Sequence, residues 1–138
     1  MVNKLIRENT LSNRVEKYFR NKKFRTCKEV PLLSNSIDMV AYKSDFSQII
    51  AIEVKVKDWR RALQQATLYK LCANQVYIAL WQKFLHRVNF EDLKELGIGV
   101  ISVDGYARRI VEPKNSRIIH SSLMRNVKNY IAIRRGNG

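Results

Sequence analysis

The 138-residue chain has few cysteines, few acidic side chains and no long apolar run. No stretch is apolar over the length that a membrane span requires, and the polar, charged residues 1–10 are unlike a signal peptide. We therefore expect a cytoplasmic protein without a membrane partner. The chain also lacks internal repeats and low-complexity segments, and its length fits one domain with a sizeable core.

The cysteines and histidines do not form a metal-binding motif. Cys27 and Cys72 lack metal-ligand spacing, and we expect both to be free, reduced thiols in a cytosolic protein. His86 and His120 lie far apart and belong to no zinc motif. A zinc site is therefore not expected.

Positive charge is in clear excess. The chain has 26 lysines and arginines against 12 acidic residues, which gives a net charge of +14. Such an imbalance favours a polyanionic partner, since basic side chains release counterions from nucleic acid. Ribosome association, membrane-surface binding and charge for solubility are the alternatives, and charge alone does not separate DNA from RNA.

Two short segments rich in β-branched residues predict a hairpin. They cover residues 36–42 and 49–56, and a polar loop over residues 43–48 separates them. With the turn centred in that loop, Asp38 lies opposite Glu53. Side chains directly opposite each other are about 5 Å apart, where like charges repel.

The predicted hairpin also brings a lysine to the two carboxylates, since period-2 alternation places Lys55 on the same face as Glu53. Crowded carboxylates favour a divalent cation such as Mg²⁺ or Mn²⁺. A lysine beside that cation could orient or deprotonate a water, or neutralise charge on a phosphate. A solvated sheet face with the same charges is the alternative interpretation.

A strand–helix–strand unit follows from the next segments. Residues 59–73 predict a helix and residues 76–80 a buried strand. Gln65 and Tyr69 are spaced one helical turn apart and share a face. This order predicts a right-handed crossover between two parallel strands, with the helix packed across the sheet that carries the carboxylates.

The order of these parts resembles the PD-(D/E)XK nuclease superfamily. The matching parts are an opening helix, Asp38 on a hairpin strand, the triplet Glu53-Val54-Lys55, and the helix with Gln65-x-x-x-Tyr69, which is similar to the RecB-like branch. The resemblance covers about residues 4–111. It implies an α/β, restriction-endonuclease-like fold, in which helices flank a mixed central β-sheet.

The resemblance also implies roles for individual residues. Asp38 and Glu53 would bind the metal ion, and Lys55 would be the catalytic lysine that positions or activates the attacking water. Gln65 and Tyr69 would contact the substrate phosphate or orient the active site.

The superfamily pattern also concerns an acidic residue in the first helix and the residue before Asp38. The family usually adds a glutamate from the first helix, for which Glu8 and Glu16 are candidates. We prefer Glu8, which lies one turn before the predicted buried stripe, because Glu16 is surrounded by basic residues and suits a surface ion pair. Ile37 occupies the position where the family often has proline.

The rest of the chain predicts a nuclease-like core over residues 1–112 and a basic, helical C-terminal extension over residues 113–138. The extension could dock on the core, extend a nucleic-acid surface or mediate homodimerisation. The remaining predicted elements are a helix from Thr10 or Ser12 to about Lys22, a strand over residues 24–30 ended by Pro31, a loop over 83–87, a helix over 90–96, strands over 99–103 and 107–111 joined by a turn at Asp104-Gly105, and a last helix capped by Ser121 or Ser122.

Together these features predict a nuclease that uses Mg²⁺ or Mn²⁺ to hydrolyse phosphodiester bonds, with DNA as the expected partner. A non-catalytic nucleic-acid-binding module of the same fold is one alternative, and an RNA-directed nuclease or toxin domain is another. A purely structural protein would leave the aligned carboxylates and the charge of +14 unexplained.

Overall fold

A computed structural model describes residues 6–136 as one six-stranded sheet with helices on both faces. Residues 1–5 of the predicted core and 137–138 of the predicted extension lie outside the described residues. The helices are α1 (Glu8–Asn21), α2 (Trp59–Tyr69), α3 (Phe90–Glu95) and α4 (Ser121–Gly136), with a 3₁₀ helix at Gln82–Arg87. The strands are β1 (Arg25–Leu32), β2 (Asn35–Tyr42), β3 (Ile49–Lys55), β4 (Gln75–Trp81), β5 (Gly99–Val103) and β6 (Ala107–Val111).

The sheet is mixed, and its strands are ordered β1-β2-β3-β4-β5-β6. The pairs β1–β2, β2–β3 and β5–β6 are antiparallel, whereas β3–β4 and β4–β5 are parallel. The helix α2 connects β3 to its parallel neighbour β4, as the crossover pattern predicted. The predicted α/β class, a mixed sheet flanked by helices, is confirmed.

The register of the β2–β3 hairpin is the one that the sequence predicted. Its ladder runs from Tyr42 paired with Ile49 to Met39 paired with Ile52. The same register places Asp38 opposite Glu53, one position beyond the last pair. A shift by one residue would turn the apolar side chains of the strand to the other face, which is why the alternation specifies this register.

One face of the sheet is covered by α1. Leu11, Val15 and Phe19 recur every four residues along the helix and are all buried, and they pack on Met39 and Ile52. A stripe with this spacing faces one side of a helix, which fixes the rotation of α1 about its own axis. The basic side of α1 therefore faces outward.

The other face is covered by α2, α3 and α4, whose buried side chains form one cluster with the sheet. Val127 and Ile131 of α4 are each only 1% exposed. They lie one helical turn apart, so this side of α4 is anchored on the core and the C-terminal helix docks on the body. Trp59, the first residue of α2, is 6% exposed and belongs to the same cluster.

Some element boundaries differ from the sequence-based expectation. The first helix begins at Glu8 and not at a Thr10 or Ser12 cap; its N-cap residue, Arg7, makes no side-chain capping bond. The first strand continues through Pro31, which pairs with Ser36. Proline is tolerated there because β1 is an edge strand and its missing N–H faces no neighbouring strand.

Two other segments differ in length or type. The helix α2 ends at Tyr69 instead of continuing to about residue 73, and residues 83–87 belong to a 3₁₀ helix and not to a loop. Within residues 6–136, no helix combines the length and the apolar character needed to cross a bilayer.

Candidate active site

The predicted charged residues gather at one edge of the sheet. The parallel strands β3 and β4 both end there, and Glu53 and Lys55 are among the last three residues of β3. Asp38 approaches from β2 on the antiparallel side. In open α/β sheets, this carboxyl edge is the usual place for a ligand.

The carboxylates of Asp38 and Glu53 are held in different ways. Glu53 is 3% exposed, and the Tyr69 hydroxyl donates a hydrogen bond of 2.5 Å to its Oε1 atom. Asp38 is partly buried, and its Oδ2 atom accepts a hydrogen bond of 2.8 Å from the backbone N–H of Val54. Each carboxylate is thus oriented by one donor from the surrounding fold.

Burial raises the pKa of both carboxyl groups. Burial raises the pKa of Glu53 to about 8; the neighbouring Asp38 adds to the rise, whereas the Tyr69 hydroxyl and Lys55 oppose it. Burial also raises the pKa of Asp38, against the lowering effect of the Val54 N–H. Without a cation the pair therefore retains a proton near neutral pH. A bound cation would compete with that proton for the carboxylates.

Lys55 lies between two glutamates. Its Nζ atom is 3.9 Å from Oε2 of Glu53 and 3.8 Å from Oε1 of Glu8. Glu8 begins α1 on the opposite face of the sheet, so it reaches Lys55 around the end of β3. The ammonium group is thereby held between the buried Glu53 and the more exposed Glu8.

The remaining predicted residues occupy distinct positions. Tyr69 is 1% exposed, and burial raises the pKa of its hydroxyl, which keeps it a hydrogen-bond donor. Gln65 lies one turn before Tyr69 at a partly exposed position, and within residues 6–136 it makes no hydrogen bond to the other predicted site residues. Glu16 accepts a bond of 2.8 Å from Thr26 and pairs with Arg20 at 3.5 Å, away from Lys55.

Sequence reasoning missed one acidic residue near the pair. Glu29 on β1 occupies the position opposite Asp38, between the pairs of Lys28 with Met39 and Val30 with Ile37. Its φ of 55° is unusual for a residue other than glycine, and its charge contributes to the raised pKa of Asp38. Nothing in a Thr-Cys-Lys-Glu-Val strand pattern marks such a backbone conformation.

The donor set suits a hard cation that keeps part of its hydration shell. Among residues 6–136, no group of three or more His, Cys, Asp and Glu side chains is arranged to hold a metal. Mg²⁺ is commonly bound through one or two carboxylates, with waters and substrate oxygens in its other positions. The pair of Asp38 and Glu53 fits that pattern and does not fit a closed zinc site.

Exposed basic side chains lie in the segments that leave this edge of the sheet. They follow the carboxyl ends of β3 and β4, in the start of α2 and in the 3₁₀ helix, and we call them the basic rim. Its members are Lys57, Arg60, Arg61, Lys83 and Arg87. The one acidic residue within these two segments, Asp58, caps α2 by accepting from the Arg61 N–H at 3.1 Å.

Comparisons with known proteins bear on the fold. No protein-family model matches the chain, and no curated protein matches its sequence. A solved structure of a protein of unknown function from Silicibacter pomeroyi has a TM-score of 0.69 at 18% identity, over 94% of this chain and 89% of that one. This likeness shows a shared fold along nearly the whole chain.

Two further solved structures are more distant. A repair endonuclease from Pyrococcus abyssi has a TM-score of 0.49 at 18% identity, over 82% of this chain and 50% of that one. The Pyrococcus furiosus protein SfsA, solved in complex with Ca²⁺, has a TM-score of 0.47 at 12% identity, over 77% of this chain and 64% of that one.

Proposed function

We propose that the protein is a Mg²⁺- or Mn²⁺-dependent nuclease of the PD-(D/E)XK type that hydrolyses phosphodiester bonds in DNA. One observation carries the proposal. A buried glutamate and an aspartate face each other across a hairpin, and a lysine on the same strand lies 3.9 Å from the glutamate. Such a group is costly to assemble on a sheet unless a cation and a substrate use it.

The chain's own residues would divide the work. Asp38 and Glu53 would hold the cation, and the Tyr69 hydroxyl would keep the Glu53 carboxylate oriented toward it. When bound, such a cation lowers the pKa of water and neutralises charge on phosphate oxygens. Lys55 would donate a hydrogen bond to the attacking water or to a phosphate oxygen, and Glu8 would orient the lysine through their contact.

Charge at the edge of the sheet supports nucleic acid as the substrate. The basic rim follows the same strand ends that carry the carboxylate pair, and the chain as a whole carries +14. The rim would bind phosphates on both sides of the scissile bond, whereas the acidic pair would be tolerated there because a cation neutralises it. Phosphate contacts of this kind position a strand without reading its sequence.

A cleavage assay tests the proposal. Supercoiled DNA, linear duplex DNA, single-stranded DNA and RNA are each incubated with the protein and Mg²⁺, Mn²⁺ or EDTA. Metal-dependent cleavage of DNA that disappears in Asp38→Asn and Lys55→Met, but not in Glu16→Ala, is the expected result. Cleavage of RNA alone would change the substrate, and nucleic-acid binding without any cleavage would favour a non-catalytic module.

A further inference from the structure

A groove of about 400 Å³ lies between α1 and the turn that joins β5 to β6. Tyr18 lines it from the helix and Tyr106 from the turn, and Arg14, Lys17 and Lys22 add positive charge along the α1 side. We call it the tyrosine groove. Its volume falls within the range of small-ligand sites.

Both tyrosines present aromatic surface beside a cation. Tyr106 is 60% exposed, and the guanidinium of Arg108 lies 5.5 Å from its ring centre. Tyr18 is partly exposed, and Nζ of Lys22 lies 5.1 Å from its ring centre. Exposed rings interleaved with basic side chains are the arrangement on which proteins stack unpaired bases.

The acidic residue of the turn does not oppose this charge. Asp104 pairs with Arg108 at 3.6 Å and accepts a bond of 3.0 Å from the Tyr106 N–H. Arg14 donates to the backbone carbonyl of Asp104, which ties the turn to α1. These bonds compensate the carboxylate and hold Tyr106 at the mouth of the groove.

The tyrosine groove lies within reach of the candidate active site. Glu8, which contacts Lys55, and Tyr18 are on the same helix, and their ten-residue separation corresponds to about 15 Å along its axis. The strand β5 is parallel to β4, so the turn that follows it lies at the same edge of the sheet as the carboxyl ends of β3 and β4.

We propose that the tyrosine groove binds a single-stranded segment of nucleic acid, with bases stacked on Tyr18 and Tyr106 and phosphates paired with the basic side chains of α1. The proposal rests on the proposed function for the nature of the substrate, and it adds that part of this substrate is unpaired. Bases inside a duplex are already stacked and paired, so their faces are closed to a tyrosine ring.

Binding without metal tests the groove separately from catalysis. The anisotropy of a labelled 12-nucleotide oligothymidine is titrated in EDTA with the wild type, Tyr106→Leu and Tyr106→Phe. We expect Tyr106→Leu to bind about five- to a hundredfold more weakly, since stacking on an aromatic ring contributes strongly to each base contact. Tyr106→Phe keeps the ring and should bind as the wild type does.

Tyr130→Leu is the matched control. Tyr130 lies on α4 outside the groove, and the guanidinium of Arg134 is 5.7 Å from its ring centre. The control therefore makes the same substitution in another tyrosine that lies beside an arginine. Its affinity for oligothymidine should be unchanged. Circular dichroism and thermal melting confirm that each variant is folded, which the exposed position of Tyr106 favours.

Three results would overturn the proposal: wild-type affinity in Tyr106→Leu, equal competition by a duplex of the same length, or equal displacement by polyglutamate. Because EDTA removes divalent ions, binding is measured independently of cleavage. If the protein binds oligothymidine through Tyr106 but does not cleave DNA, the proposed nuclease activity is wrong and the proposed binding site stands. If the protein cleaves DNA but Tyr106→Leu binds oligothymidine as the wild type does, the proposed binding site is wrong and the nuclease activity stands.

Discussion

Asp38 on β2 and Glu53 on β3 face each other at the point where the backbone ladder of their hairpin stops. The last backbone pair joins Met39 to Ile52, and one position further the Val54 N–H donates to the Asp38 side chain at 2.8 Å. The carboxylate thus takes the place of a main-chain acceptor. Removal of the Asp38 side chain would leave this amide without its partner, so isosteric variants are the suitable probes.

Loss of either carboxylate or of the lysine should abolish cleavage. Asp38→Asn keeps an acceptor for the Val54 N–H, and Glu53→Gln keeps one for the Tyr69 hydroxyl, so both variants should fold. We expect each of them, and Lys55→Met, to lower kcat by about a hundredfold or more, as removal of charge-stabilising groups does in enzymes. Single-turnover cleavage of plasmid DNA measures the loss, and wild-type turnover by one variant would remove that residue from the mechanism.

A divalent cation should stabilise the folded protein through the same pair. A ligand at a hundredfold excess over its dissociation constant, binding only the folded state, adds about 2.7 kcal/mol. Mn²⁺ should therefore raise the Tm of the wild type more than that of Asp38→Asn. Equal shifts in differential scanning fluorimetry would count against a site at Asp38.

Without divalent ions, stability should fall as the pH rises from about 4.5 to about 8. Glu53 has its pKa raised in the folded state from an ordinary value of 4.5 to about 8, so the folded protein binds the proton more tightly than the unfolded chain. That contribution is present below pH 4.5 and is lost as the pH passes the folded value. Urea titrations at several pH values in EDTA measure it, and Glu53→Gln, which cannot ionise, should flatten this part of the curve.

Glu8 and Glu16 offer a matched pair on α1. Glu8→Ala should lower activity by up to about fivefold, because a half-exposed ion pair contributes at most about 1 kcal/mol. Glu16→Ala should leave activity unchanged, since Glu16 is bonded to Thr26 and Arg20. If steady-state cleavage is lowered in Glu16→Ala and not in Glu8→Ala, Glu16 and not Glu8 is the acidic residue of α1 that supports activity.

The basic rim should dominate the salt dependence of DNA binding. Each phosphate contact contributes roughly −0.9 to the slope of log affinity against log salt. The double variant Lys83→Ala with Arg87→Ala should therefore make the slope less steep by the contribution of about two phosphate contacts. The pair Arg125→Ala with Lys128→Ala tests whether α4 also touches DNA. Anisotropy at several salt concentrations, in EDTA, measures both slopes; an unchanged slope in one double variant excludes its residues from the interface.

Point variants are better suited than deletion of α4 to test whether this helix contacts DNA. Deleting the chain after Val111 would remove α4, and with it Val127 and Ile131, which are buried against the rest of the core. Loss of such side chains costs several kcal/mol. The truncated chain should therefore lose helical signal in circular dichroism instead of reporting on charge alone.

The sequence by itself determined the local architecture. Alternation of apolar residues, together with the length of the polar loop, specified the β2–β3 register, because a slip of one residue would expose the whole apolar face. The positions of Asp38, Glu53 and Lys55 followed from that register. A helix between two apolar strands likewise predicted a parallel pair, since a crossover helix is the usual connection between parallel strands.

Long-range packing decided the rest. Glu8 and Glu16 lie on one helix, and only the way α1 crosses the sheet places Glu8, and not Glu16, beside Lys55. The positive φ of Glu29 has no sequence marker, since glutamate seldom adopts it. Tyr18 and Tyr106 meet across one groove although 88 residues separate them. Periodicity in the sequence indicates which face of a helix or strand is buried. Which residues lie beside its exposed face depends on how separate helices and strands pack, and only the tertiary structure decided that.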